Sequence, residues 1–321
     1  MGSDRLRIAL VGAGRMGRVH LHALCSSERF QLLGVVEPSA TGRAALAASG
    51  IAAHETVDQL LATSWPEAVL IAAPSDRHLP LVACFAAAGI PMLCEKPLGI
   101  SVGQAEAAVR HAARAGVLLQ VGFWRRFVPE LRELHERILA GAFGRILHIS
   151  CMQWDHQLPS EEFRVHSGGI SVDMGVHEFD QARWLVGQEF DWLSAAAAGP
   201  TAAGHPLDDP DAATMLGRLS GGATATISLG RRFPHRDSCW LELWGTDGYV
   251  RLPFMWDAEG DEVFRDATLR QAESFARAVR GEPCEGAQGP DAVAALTVAE
   301  WAADALADVP RRTGPAAVNV S

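Results

Sequence analysis

Lysine is nearly missing from this chain: among 28 lysine and arginine residues in 321, a single one, Lys96, is a lysine. Every other basic position is arginine. The retained ammonium is therefore expected to do something a guanidinium cannot, such as donate from a compact, titratable point charge. Tyrosine is equally scarce. The sole one, Tyr249, falls in an expected strand with no lysine four residues on, so a tyrosine/lysine catalytic pair has no residues to run on. The six cysteines (Cys25, Cys84, Cys94, Cys151, Cys239, Cys284) show no CxxC spacing and lie mostly in apolar runs, which excludes a disulfide framework or zinc knuckle and predicts reduced, buried thiols. No metal site is expected. Long apolar runs are also lacking. The longest, Leu79 to Cys94, is broken by Pro80, Gly89 and Pro91 and falls short of the ~18 unbroken residues of a membrane span. Met1 to Arg7 is polar and runs straight into a strand, without the apolar core of a signal peptide, so a cytoplasmic protein is expected. Positive charge is in deficit. A formal net charge of −10 repels phosphate backbones and anionic lipid, leaving a small neutral molecule as the expected partner rather than nucleic acid or membrane.

What is present is the length and patterning of two domains. At ~100 to 200 residues per domain, the chain has room for two sizeable cores. Leu6 to Val11 reads as a short buried strand, Gly12-Ala13-Gly14-Arg15-Met16-Gly17 as a turn, and Arg18 to Ser26 as a helix. The next apolar run, Gln31 to Val36, ends in Glu37. Alternation then continues: helix 41–49, strand 51–53, helix 57–62, strand 68–72, helix 80–88, strand 91–94, helix 102–115, strand 118–121. Such alternation implies a doubly wound parallel sheet of the Rossmann type over residues 1–122. The texture changes after Gly122. A helix over 129–140 leads into alternating strands at 146–153, 212–219, 223–229, 240–245 and 248–252, a mostly antiparallel open sheet for a second domain over 123–321. A helix over 170–185 lies between its first two strands. Two final helices, 267–280 and 290–306, are expected to pack back across both domains.

The glycine turn follows a strand, opens a helix and has an acidic residue about 20 positions on, the full dinucleotide fingerprint. Gly12 would permit the tight turn, Gly14 would admit a pyrophosphate, and Gly17 would allow close helix packing, with the Arg15 and Met16 amides at the positive helix end. Glu37, next to Pro38, would accept from ribose hydroxyls and repel a 2′-phosphate, so NAD is expected over NADP. Arg43, in the following helix, is positioned to compensate for that phosphate. Ala73-Pro74-Ser75 breaks the chain at the carboxyl edge of the sheet, where open α/β folds bind ligands, and His78 would pack near the cofactor or serve as a structural cap.

Two segments carry the chemistry. Cys94-Glu95-Lys96-Pro97 ends a sheet strand and places Glu95 and Lys96 at the nicotinamide end of the cleft, where a cis Lys96–Pro97 bond would aim the ammonium inward. In Asp173-Met-Gly-Val-His177, i, i+4 spacing puts carboxylate and imidazole on one helix face, with Asp180 continuing the stripe; an ordinary solvated face has the same pattern. Oxidising a secondary alcohol needs a base for the hydroxyl proton, and His177 suits it. Lys96 would donate to the reacting oxygen, and Asp173 would orient the substrate. Trp154, Asp155, His156 and His235 are candidate pocket walls, though strand-end aromatics are more often core.

With these residues in view, the chain resembles, end to end, the Gfo/Idh/MocA oxidoreductases, the glucose-fructose oxidoreductase and inositol dehydrogenase family. The resemblance rests on Ala9-Leu-Val-Gly-Ala-Gly-Arg-Met-Gly17, Cys94-Glu-Lys-Pro97, Gly122-Phe-Trp-Arg-Arg-Phe127 and the run from Gly168 to Leu185. It implies that Lys96, Asp173 and His177 are the catalytic lysine, aspartate and histidine, and that the second domain serves substrate binding and oligomerisation. The Gly122–Phe127 and His177–Leu185 segments look closest to inositol dehydrogenases, which implies a cyclitol or pyranose substrate and adds Trp124, Arg125 and Asp180 to the pocket. Departures are clear. Trp124 replaces a usual methionine, Val128 a usual aspartate, Gln153-Trp-Asp-His156 differs from the common substrate-contacting residues, and Arg231 to Asp237 lacks the frequent tyrosines. Reduction of a keto-sugar or keto-cyclitol is the competing enzymatic reading, and a non-catalytic NAD-sensing regulator is the competing reading of another class. An exposed sheet face suggests a homodimer or homotetramer.

Overall fold

The computed structural model describes residues 5–198, 209–256 and 259–307. Six strands, β1 (Leu6–Val11), β2 (Phe30–Val36), β3 (Ala53–His54), β4 (Ala68–Ile71), β5 (Met92–Cys94) and β6 (Leu119–Val121), form one sheet in the order β3-β2-β1-β4-β5-β6. Every pairing in it is parallel. Its central strands are buried on both faces: β4 entirely, and β1 at every residue but Arg7. Continuous apolar runs rather than alternation are what a sheet covered on both sides requires.

Helices α1 (Arg15–Ser26), α2 (Ala40–Ala48), α3 (Val57–Thr63), α4 (His78–Ala87) and α5 (Val102–Ala115) make the crossovers. Hydroxyls start three of them. Ser39, Thr56 and Ser101 accept from the amides of Gly42, Gln59 and Gln104, and Gly116 ends α5 in the left-handed region at φ 66°. Cys25 and Cys84, expected to be buried, are exposed; each lies on the outer face of its helix, whereas Cys94, Cys151 and Cys239 are buried.

After a short helical turn at Trp124–Phe127 come α6 (Pro129–Leu139), β7 (Ile146–Asp155), α7 (Glu161–His166) and α8 (Val176–Val186). Then follow β8 (Phe190–Ala197), β9 (Ala212–Leu219), β10 (Thr224–Arg231), β11 (Ser238–Gly245) and β12 (Tyr249–Met255). The second sheet runs β12-β11-β7-β10-β9-β8 and is antiparallel except where β7 pairs with β10. Strict alternation gives it two unlike faces. Ile149, Cys151, Ile227, Leu229, Leu241 and Leu243 point into the core, while Ser150, Trp154, Thr226 and Ser228 point the other way. Strand β8 and helix α7 are absent from the sequence expectation. In β8 the alanine run Ala195–Ala197 carries no alternation, and pairing with β9 decides its conformation.

The last two helices, α9 (Gly260–Val279) and α10 (Gly289–Ala307), tie the two sheets together. Glu273 on α9 accepts from Ser27 at 2.7 Å, and Glu300 on α10 accepts from the Val102 amide at 2.7 Å. Helix α9 packs on α1, on the Trp124–Phe127 turn and on β12; α10 packs on α5, α8 and β8. Among the described residues no helix is long and apolar enough to cross a membrane.

Candidate active site

The first wall of the cleft is backbone. The Gly12 amide donates to the Val36 carbonyl at 2.8 Å, and its φ of +94° is a conformation that side chains rarely adopt. A Cβ on Gly12 would lie 2.6 Å from the Ala72 oxygen, and one on Gly17 only 2.1 Å from the Gly12 oxygen. Gly14 is the opposite case: nothing lies within 4 Å of its Cβ position, and it starts α1 without a side-chain cap. Turn, helix and sheet are thus locked together while the helix N-terminus faces open space, with Arg15 and Met16 supplying the first amides. That fits a pyrophosphate. The Glu37 carboxylate is fixed beside this opening, accepting from the Ala13 amide and the Ser39 amide at 2.9 Å each. Arg43, expected as a possible partner for a 2′-phosphate, instead donates to the carbonyls of Glu37 and Pro38 at 3.0 and 2.6 Å and pairs with Glu55 at 3.1 Å.

Two residues expected at the cofactor are internal struts. His78 is buried with its ring nitrogens 2.9 Å from the Ala73 oxygen and 2.8 Å from the Pro97 oxygen, pinning the Ala73-Pro74-Ser75 bend to the Lys96 loop. Burial lowers its pKa, against its backbone hydrogen bonds. The Glu95 carboxylate faces His20 at 2.7 Å and accepts from the Lys96 amide at 3.1 Å. Burial pushes its pKa up, but the hydrogen bond and charge of His20 and the charge of Lys96 outweigh that and leave it lowered.

Lys96 leaves β5 through a cis bond to Pro97. Its Nζ donates to the Asp173 carbonyl at 2.7 Å and lies 3.8 Å from Asp173 Oδ1. Asp173 is not on a regular α-turn. Residues Ser171–Gly175 form a π-helical turn that runs into α8, so the one-face geometry expected from i, i+4 spacing is replaced by a widened turn. That turn presents both carbonyl and carboxylate of Asp173 to Lys96. His177 follows in the first turn of α8, buried, with Nδ1 free of any partner among the described residues. Phe123 and Trp124 meet its ring edge-on at 6.0 and 6.2 Å between centroids. Burial, and then the charges of Lys96, Arg125 and Arg15, hold the imidazole well below its usual pKa, so it stays neutral at pH 7. Arg15, at the start of α1, is thus one of the charges acting on His177.

The remaining expected pocket residues divide sharply. Trp124 lines His177 and packs on Phe264 at 5.0 Å. Arg125, on the next residue, is committed: it pairs with fully buried Glu178 and donates to Gln153 at 2.7 Å, so it braces the pocket from behind. Asp180 is likewise no pocket wall, because it takes a two-pronged hold from Arg126 at 2.6 and 3.0 Å and is buried. Asp155 faces inward, accepting from Gln153 at 3.0 Å. Burial and the charges of Asp237, Asp173 and Glu178 push its pKa up to about 6 against the Gln153 hydrogen bond. Trp154 points to the opposite face of the sheet, where its indole donates to Ser228 at 3.1 Å and covers Gly230. Strand alternation makes this unavoidable once Asp155 faces in. His156 and His235 are exposed around Phe233, the former 3.0 Å from its carbonyl.

Sequence reasoning missed Arg231. Its side chain has no exposed surface, and it joins Asp173 at 3.3 Å to Asp209. Nothing in the spacing of Arg231 from Asp173 could signal a pair 58 positions apart. Among the described residues there is no group of three or more His, Cys, Asp or Glu side chains able to hold a metal. A groove of about 580 Å³ between α5, α10 and β8 shares none of these residues.

Comparison with known proteins adds three kinds of match. Residues 6–123 match the model described as the oxidoreductase family with NAD-binding Rossmann fold, and residues 131–251 match that of the GFO/IDH/MocA C-terminal domain. The chain is 46% identical over 302 residues to the rhizopine catabolism protein MocA of Rhizobium meliloti, covering 94% of this chain and 95% of that protein. It is 30% identical to an inositol 2-dehydrogenase of Rhizobium meliloti (strain 1021), covering 94% and 97%. Among solved structures, GenD2 from gentamicin A biosynthesis in complex with NAD superposes with a TM-score of 0.86 at 26% identity, covering 95% of each chain.

Proposed function

Since this chain belongs to the Gfo/Idh/MocA oxidoreductase family and carries its NAD-binding Rossmann fold, we propose that it is an NAD-dependent dehydrogenase acting on a ring secondary alcohol of a cyclitol or sugar. One observation carries the reading: the only lysine of the chain reaches the Asp173 carbonyl at 2.7 Å, on the turn that runs directly into buried His177. The inositol 2-dehydrogenase relative supports the choice of ring alcohol.

Gly12, Gly14 and the Arg15 and Met16 amides would hold the pyrophosphate, and Glu37 the adenosine ribose. Bound NAD supplies the hydride acceptor. Lys96 has three donors, of which one is used on Asp173, so the others are free to hold the substrate oxygen and stabilise the negative charge that develops there. His177 takes the hydroxyl proton, for which a neutral imidazole is required. Asp173 sets the position of Lys96 and accepts from a neighbouring hydroxyl, and Trp124 and Phe123 keep water from the imidazole. Residues 1–122 form the cofactor half and 123–321 the substrate half. The outward face of the second sheet, with Leu216 and Tyr249 exposed, pairs copies of the chain into a dimer or tetramer; a monomer by light scattering overturns that part.

The deciding experiment follows NADH formation by wild type over a panel of inositol isomers and pyranoses, with Lys96→Arg alongside. Turnover of at least one member is expected, falling about 10³-fold in the variant while NAD binding persists. Near-normal turnover in Lys96→Arg removes the role of Lys96. Silence of the wild type in both directions, with NAD still bound, points to a regulator.

A further inference from the structure

Taking Lys96 and Asp173 as the reacting pair described above, we propose that Arg231 is a positioning residue for the reaction, holding the Asp173 carboxylate against Lys96 from behind. Arg231 ends β10, and its side chain is wholly buried. One arm of the guanidinium, Nη1, holds Asp209 Oδ2, and the other, Nη2, lies 3.3 Å from Asp173 Oδ2. The second oxygen of the same carboxylate, Oδ1, is the one 3.8 Å from Lys96 Nζ. The two oxygens of Asp173 are thus divided between a fixed cation and the reacting one.

Arg231 is held at both ends, main chain and guanidinium. Its own amide donates to the Asp211 carbonyl at 2.7 Å. Asp209, its anchor, accepts from the Ile170 amide at 2.8 Å and from Arg164 Nε at 3.0 Å. Ile170 is the residue immediately before the π-helical turn that carries Asp173. The Asp209–Arg231 pair therefore fastens the entry of that turn and the carboxylate within it to one rigid strand. A single π-helical turn is a local departure from the α-helix it runs into, and the Asp209–Arg231 pair holds that departure from outside. The planar fork of arginine reaches the two carboxylates with separate arms in a fixed geometry, which the point charge of an ammonium does not impose.

The other buried arginines meet other carboxylates. Arg125 and Arg126 pair with Glu178 and Asp180, which are closed off from solvent, Arg164 with Asp209 and Arg183 with exposed Glu189, whereas Arg231 reaches Asp173, which keeps 16% of its side chain exposed. Among the described residues Arg231 is the only arginine ion-paired to a member of the reacting pair.

The test is a double-mutant cycle read in two ways. With whichever ring alcohol the wild type oxidises, Arg231→Met is expected to lower kcat about 100-fold, the cost of a misplaced group, with NAD affinity unchanged. Arg231→Lys restores only part of the loss. In an Asp173→Asn background, Arg231→Met should cost less than about 3-fold more, because partners that act together are not additive. A second full 100-fold loss in that background overturns the proposal. The second readout needs no substrate. Reductive ¹³C-methylation labels Lys96 as the only lysine, and its methyl resonance should move on Arg231→Met in the wild-type background but not in Asp173→Asn. A resonance that stays put in the first, or moves equally in both, also overturns the proposal. Should no cyclitol or sugar be oxidised, the functional reading fails while the resonance still decides the role of Arg231. If Arg231→Met does not fold, Asp209→Asn loosens the same anchor with both partners retained, and about a 10-fold fall in kcat with the same change in resonance is expected; an unaltered kcat and resonance in Asp209→Asn overturn it.

Discussion

Around Gly12 and Gly17 the cleft wall is main chain, held by contacts so close that a single methyl group would collide, while Gly14 between them faces open space. Across the cleft the wall is braced from behind by buried charge: Arg125 on Glu178, Arg126 on Asp180, and Arg231 on Asp209 and Asp173. The first kind of wall recognises a ligand common to many proteins through amides that every sequence possesses. The second kind places individual side chains, and each placement depends on a partner far away in the chain. Backbone walls should therefore fail all at once, through binding, and charged walls by degrees, through stability and rate.

Three substitutions probe that contrast. The largest effect on cofactor binding is expected from Gly17→Ala, whose Cβ would sit 2.1 Å from the Gly12 oxygen. The turn must open, and NAD affinity measured by titration should fall at least ~100-fold, the cost of a displaced binding group. Retained affinity would mean that the turn is not the binding wall. Next comes Arg126→Met. It leaves Asp180 buried without its cation and should lower unfolding free energy by about 3–5 kcal/mol in a denaturant titration, with NAD affinity little changed. A loss below ~1 kcal/mol would show that these pairs brace nothing.

The smallest effect belongs to Asp155, whose pKa rises from 3.8 to about 6 on folding. A raised carboxyl pKa means that the folded state holds the proton more tightly, so wild type loses stability as pH climbs from about 4 to 6 and does not regain it above. Asp155→Asn should therefore be neutral near pH 4 and more stable than wild type by about 1–2 kcal/mol at pH 8, the ~3 kcal/mol of the full shift being reduced by solvent screening of a half-buried carboxylate. A stabilisation that is the same at both pH values would remove the buried charge as its cause.

The legibility of the two walls in the sequence follows the same division. The glycine turn, the strand before it and Glu37 are local, within about 20 residues, and their spacing is set by the geometry of a strand, a turn and a helix. Lys96 was legible for another reason, as the one lysine in an arginine-rich chain. On the other wall, Asp173 and His177 were legible as a pair, but the π-helical turn between them was not, because nothing in Asp-Met-Gly-Val-His distinguishes it from an α-turn. Asp180 and Arg125 were read toward the ligand and turned out to face Arg126 and Glu178. Trp154 and Asp155 were read as neighbours on one pocket wall, and strand alternation sends them to opposite faces of the sheet.

What the sequence determined by itself was therefore everything dictated by local covalent geometry and periodicity: the parallel sheet, the glycine turn, the acidic end of β2 and the placement of Lys96 at a strand end. What only the tertiary structure decided was which charges meet. Arg231 and Asp173, Arg126 and Asp180, and Arg125 and Glu178 lie more than 50 residues apart. A guanidinium has no preferred carboxylate until folding closes the intervening chain and desolvation makes every unpaired charge costly.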